Sequence, residues 1–80
     1  MSKSIYNEEY RKLIDALKAA RLEAGLTQQQ VADALGRPQS FVAKVEGYER
    51  RLAVIEFVKL CRTLEKEPTN ILIDLGLDGL

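Results

Sequence analysis

Apolar positions recur along this chain at helical rather than alternating spacing. Tyr6, Tyr10, Leu13, Ile14, Leu17, Ala20 and Ala24 fall on one stripe and predict a first helix over 6–24. Glu8 and Glu9 suit its positive end, Lys18 and Arg21 lie toward the other, and Gly25 supplies a left-handed stop. Thr27-Gln28-Gln29-Gln30 then reads as a capping box, a threonine cap with a glutamine reaching back from the third helical position. The second helix turns Val31, Ala32 and Leu35 inward and ends at Gly36. A helix this short does not hold in water alone, so its neighbours must pack it.

Pro38 stands at the start of a third helix, where its missing N–H costs nothing. That helix runs from Gln39 to Glu46 with Val42 and Val45 inward, and Gly47 is expected to stop it. Residues 47–53 read as a loop. Val54, Phe57, Val58, Cys61 and Leu64 mark a fourth amphipathic helix, and Pro68 opens a fifth carrying Ile71, Leu72 and Leu75. The expectation is an all-α fold, a compact five-helix bundle forming a single domain over 1–80.

Composition narrows the chemistry. With 46% hydrophobic residues, an 80-residue chain can build one core. Cys61 is the lone cysteine, so no internal disulfide is possible and a buried apolar role is expected for it. There is no histidine, which leaves no zinc site and no Cys-His nucleophile. No carboxylate pair or phosphate loop suggests catalysis, so neither enzyme activity, metal nor cofactor is expected. No segment resembles a signal peptide, and no apolar run approaches the roughly 18 residues of a membrane span, which points to the cytoplasm.

Charge complicates this picture. Twelve basic and twelve acidic residues cancel, whereas a nucleic-acid binder is expected to be at least locally basic. The balance is uneven, however: Arg37, Lys44, Arg50 and Arg51 outnumber Glu46 and Glu49, while Glu65, Glu67, Asp74 and Asp78 outnumber Lys66 near the end.

The informative stretch is about 28–47, two short helices joined by a glycine-containing turn, which describes a helix-turn-helix. Ala32 suits a crossing where a larger side chain would push the helices apart, and Gly36 a turn needing positive φ. Gln39, Ser40 and Lys44 share the outward face of the third helix, as a major-groove reader requires. Phe41 is open between reaching a thymine methyl and packing against a neighbouring helix.

Arg21–Gly36 (RLEAGLTQQQVADALG) and Gln39–Leu60 (QSFVAKVEGYERRLAVIEFVKL) resemble the lambda-repressor-like, Cro-type (Xre) helix-turn-helix regulators. The resemblance implies that Gln39, Ser40 and Lys44 contact bases, glutamine suiting adenine and lysine guanine. It implies that Gln28 touches a phosphate and braces the recognition helix, and that Arg37, Arg50 and Arg51 grip the DNA backbone. Tyr48 is a further candidate phosphate donor. The chain departs from the family at Pro38 and Ala53, where hydroxyl or carboxylate caps are usual, and at Glu65, where glycine is usual. It also carries its glycine at Gly47, one place before the position common in relatives.

Ile71, Ile73, Leu75, Leu77 and Leu80, with Leu72, are more apolar residues than one face of a two-turn helix can bury. Such a patch marks an interface, and 68–80 is expected to form a homodimer. A dimer would read a palindromic operator in double-stranded DNA, since one module covers only about 600–1,000 Å². The expected function is sequence-specific transcriptional regulation, as a repressor of prophage or controller type. The alternative is a protein-protein interaction module, or an antitoxin-like partner-binding protein, on the same fold.

Overall fold

In a computed structural model the described residues are 7–79, so Tyr6 of the predicted first stripe and Leu80 of the predicted interface lie outside them. Asn7 opens the first helix: its carboxamide oxygen accepts the Tyr10 N–H at 2.8 Å, and α1 runs Glu8–Glu23. Among the described residues four more α-helices follow, α2 Gln28–Leu35, α3 Gln39–Glu46, α4 Val54–Thr63 and α5 Pro68–Asp74, with one 3₁₀ turn at Leu77–Gly79. Among the described residues there is no strand, and no helix is long and apolar enough to cross a membrane.

The predicted caps form. Thr27 Oγ1 accepts the Gln30 N–H at 3.0 Å, and Gln30 Oε1 accepts the Thr27 N–H at 2.8 Å. Pro38 and Ala53, whose side chains offer no acceptor, leave their helix starts in different states. Pro38 offers α3 no side-chain partner. At α4, Glu56 reaches back to accept the Ala53 N–H at 2.9 Å, half of a capping box whose other half alanine cannot make.

One core joins the helices. Ile14 and Leu17 of α1, Val31 and Ala32 of α2, Phe41, Val42 and Val45 of α3, and Phe57, Leu60, Cys61 and Leu64 of α4 are all buried. Ala32 is wholly inaccessible where α2 packs on α3, as the crossing requires. Leu52, expected in a loop, is also buried, and its N–H donates to the Tyr10 hydroxyl at 2.9 Å.

Ala24, expected on the first apolar stripe, instead caps the end of α1 and is exposed. Val54 was placed on the buried stripe of α4, yet it is 75% exposed. It is the first residue of that helix and lies beyond the edge of the core, and Leu60 completes the stripe instead. α3 ends at Gly47 as expected, but the glycine is not the left-handed residue: its φ is −89°, and Tyr48 turns left-handed at +63°. The Tyr48 N–H bonds Val45 O at 3.1 Å and the Glu49 N–H bonds Lys44 O at 2.7 Å, a Schellman ending built on tyrosine. Gly47 serves by its size, since a Cβ there would come within 3.2 Å of Ala43 O. Gly36, by contrast, does turn left-handed, at +69°.

In α5, Ile71 and Leu72 rest half-buried against the core, so Ile71 is shared between core and surface. Ile73 is 50% exposed, while Leu75 and Leu77 are half-buried.

Candidate nucleic-acid interface

Burial of Val42 and Val45 in the core fixes which face of α3 looks outward. Gln39, Ser40 and Lys44 are all exposed on it, with Lys44 one turn beyond Ser40. Phe41 goes the other way: it is 7% exposed and belongs to the core.

A chain of polar contacts sets the pose of this helix. Arg21 of α1 meets Glu46 in a two-pronged ion pair, Nε to Oε2 at 2.7 Å and Nη2 to Oε1 at 2.9 Å. Its Nη1 donates to Leu26 O at 2.8 Å. Both side chains are about nine-tenths buried, at 9% and 10% exposure. Glu46 Oε1 also accepts from Gln28 Nε2 at 2.9 Å, and Gln28 Oε1 accepts from Gln39 Nε2 at 2.7 Å. A carboxylate only accepts, so Glu46 fixes the Gln28 amide with its nitrogen inward, and Gln28 in turn makes Gln39 the donor. The remaining Gln39 N–H and its carbonyl are left for a partner in an orientation set from the core.

A second cluster sits at the two ends of α3. Arg37, in the turn before it, and Arg50, in the loop after it, both donate to Glu56 Oε2, at 2.7 and 3.0 Å. Their guanidiniums lie 4.5 and 4.9 Å from the centroid of the Phe41 ring. Burial of Glu56 raises its pKa, but the Ala53 N–H and the two arginines outweigh this and hold the carboxyl below its ordinary range. Lys44 and Arg51 are exposed and make no ion pair among the described residues.

Tyr48 does not stand with these groups. Its hydroxyl donates to the Asp15 carboxylate on α1, and Arg11 stacks 4.7 Å from its ring centroid. The hydrogen bond to Asp15 is the first cause of a raised Tyr48 pKa. A phosphate would have to draw that hydroxyl away from a carboxylate.

The helix-turn-helix family profile matches residues 17–71. An XRE-family like protein from Pseudomonas syringae pv. tomato str. DC3000 is 50% identical over 90% of this chain and 88% of its own, with a TM-score of 0.85. This chain belongs to the XRE helix-turn-helix family. The clp gene regulator ClgR from Corynebacterium glutamicum shares the fold at a TM-score of 0.77 and 18% identity, over 88% of this chain and 74% of its own. No curated protein is significantly similar to the chain.

In this XRE-family chain Gln28 on α2 and Gln39, Ser40 and Lys44 on α3, the residues expected from the sequence, lie on two elements that pack together. The sequence assigned no role to Arg21 and Glu46, which orient Gln28 and through it Gln39, or to Glu56, which holds Arg37 and Arg50. Arg21 and Glu46 lie 25 residues apart, and nothing local in the sequence links them. Glu56 carried a faint signal, three residues after a helix start that lacks its own cap.

Proposed function

We propose that this protein binds double-stranded DNA sequence-specifically as a homodimer and regulates transcription, as a repressor in the cytoplasm. The observation that carries the reading is the Gln28–Gln39 hydrogen bond, anchored through Glu46, which prepares a recognition-helix glutamine for a base edge. Gln39, Ser40 and Lys44 read bases, with the amide of Gln39 suited to adenine and the Lys44 ammonium to guanine. Gln28, Arg37, Arg50 and Arg51 hold the sugar-phosphate backbone, and Tyr48 joins them only by releasing Asp15.

Two copies meet through the C-terminal segment 68–80, with Ile73 at the centre and Ile71, Leu75, Leu77 and Leu80 around it. Two-fold pairing doubles the DNA contact and matches a palindromic operator. Regulation then follows from occupancy of the operator, by blocking polymerase.

Selection from a pool of random duplexes over a salt series, with Lys44→Ala alongside, tests this. The expected result is a palindrome, bound less tightly as salt rises, with preference lost at one position per half-site in the variant. Sedimentation of Ile73→Asp tests the dimer, which should dissociate. A second reading, a protein-binding or antitoxin-like module, is favoured by Val54 and Ile55, exposed at 75% and 65% at the start of α4. Enrichment of no sequence from the pool would select it.

A further inference from the structure

Arg37 and Arg50 come from opposite ends of the recognition helix, yet one carboxylate oxygen holds both. Glu56 Oε2 accepts from each, Oε1 is tied to the Ala53 N–H, and its side chain is only 15% exposed. The Phe41 ring, itself in the core, lies against both guanidiniums. The arginine side chains remain 41% and 44% exposed. Each donates one N–H to Glu56 and keeps the rest of its fork for another acceptor. The cluster is therefore fixed on its inner side and open on its outer side, with a net positive charge.

Glu56 is the costly member if the cluster exists to attract DNA, since it cancels one cation beside the surface where phosphates would lie. We infer that Glu56 is a specificity-determining positioning residue: it holds Arg37 and Arg50 for the phosphates flanking a seated recognition helix and keeps them from gripping any duplex. The inference rests on the DNA-binding reading above and deepens it.

The physical reason lies in what each complex demands. In a sequence-matched complex α3 is seated, and phosphates meet both guanidiniums where Glu56 already holds them. Little side-chain freedom is then lost on binding. On unmatched DNA the helix is not seated, and phosphates are gripped only by arginines that reach out and leave Glu56. Releasing the arginines makes that reach easier and adds a positive charge. In the matched complex the same charge gain is offset by the freedom that two loose arginines must lose. Non-specific affinity therefore rises more than specific affinity. The rest of the molecule agrees with this economy of positive charge, since Arg21 is also paired and the whole chain is neutral.

Glu56→Gln is the test, because the amide oxygen still accepts the Ala53 N–H while the charge is lost. Binding is measured for the full chain on a duplex selected by the wild type and on a scrambled duplex, across a salt series. The expected result is a specificity ratio lowered by roughly tenfold, mainly through tighter binding to the scrambled duplex. An equal gain on both duplexes, or a loss on both, would overturn the inference. Glu65→Gln removes the same charge in the groove between α1 and α5 and should leave the ratio unchanged. A matching fall there would mean net charge alone is at work. If melting shows Glu56→Gln unfolded, Arg37→Gln/Arg50→Gln replaces it. That variant should lose affinity for the selected duplex more than for the scrambled one, and an even loss overturns the inference. A wild-type chain with no sequence preference overturns the DNA reading itself, whereas preference with an unchanged ratio in Glu56→Gln overturns only the role of Glu56.

Discussion

Arg21 and Glu46, 25 residues apart in the chain, face each other in a two-pronged ion pair of 2.7 and 2.9 Å. The pair ties the end of α1 to the end of α3, and the Oε1 that accepts from Arg21 Nη2 also accepts from Gln28 and orients it. A structural brace and the first member of the candidate DNA interface are thus one cluster.

Glu46→Leu should therefore destabilise the protein strongly, because it leaves the Arg21 guanidinium buried without its countercharge. The expected loss is about 3 kcal/mol in urea unfolding. Arg21→Leu/Glu46→Leu should recover part of that loss, since no unpaired charge remains. A single variant that melts like the wild type would show that the pair contributes nothing.

Gln28 and Gln39 should act on DNA as a unit. Gln28→Ala and Gln39→Ala, singly and together, should give a coupling of about 1 kcal/mol in binding to a selected duplex. Additive losses would mean that Gln39 does not depend on Gln28 for its pose.

Among the described residues two non-glycine residues turn left-handed, Tyr48 at +63° and Glu65 at +59°. The Glu65 side chain is exposed and makes no hydrogen bond among the described residues, so Glu65→Gly should relieve strain and stabilise by roughly 0.5–1 kcal/mol. Tyr48→Gly relieves the same strain but removes the Asp15 hydrogen bond and the Arg11 contact, so no gain is expected. Thermal melting of both variants distinguishes the two positions.

Stability should fall in acid partly through Glu56. Its folded pKa lies below the ordinary value of 4.5, so its contribution is fully present above pH 4.5 and fades as pH drops through the folded pKa. A pH series of unfolding free energy should show a shallower acid decline in Glu56→Gln than in the wild type. Parallel curves would deny Glu56 that contribution.

Cys61 is fully buried, and burial, followed by the charge of Glu67, pushes its thiol up to about 11. A thiol reagent at pH 8 should leave the native protein unmodified and label it promptly in denaturant. Rapid native labelling would mean that the core opens locally at α4.

The stops show how far local chemistry reaches. The Thr27 capping box and the left-handed Gly36 are decided within a few residues, and both stand as read from the chain. The ending of α3 was legible only in outline. A glycine at 47 drew the stop to itself, but the hydrogen bonds from Tyr48 and Glu49 place the left-handed residue one step later. Val54 fits the apolar period of α4 and still faces solvent, because periodicity says which side of a helix is apolar and not where the core ends.

The sequence by itself determined the helices, most of their boundaries, most of the apolar positions that α1 to α3 turn inward and the outward triad Gln39, Ser40 and Lys44. Those properties depend on residues three or four apart, and such spacing survives without knowledge of the fold. Only the tertiary structure decided that Arg21 and Glu46 meet, that Glu46 sets the polarity of Gln28 and Gln39, and that Glu56 holds Arg37 and Arg50 against Phe41. Each of those contacts joins side chains from different elements. Their strength comes from burial and geometry that exist only once the helices have packed.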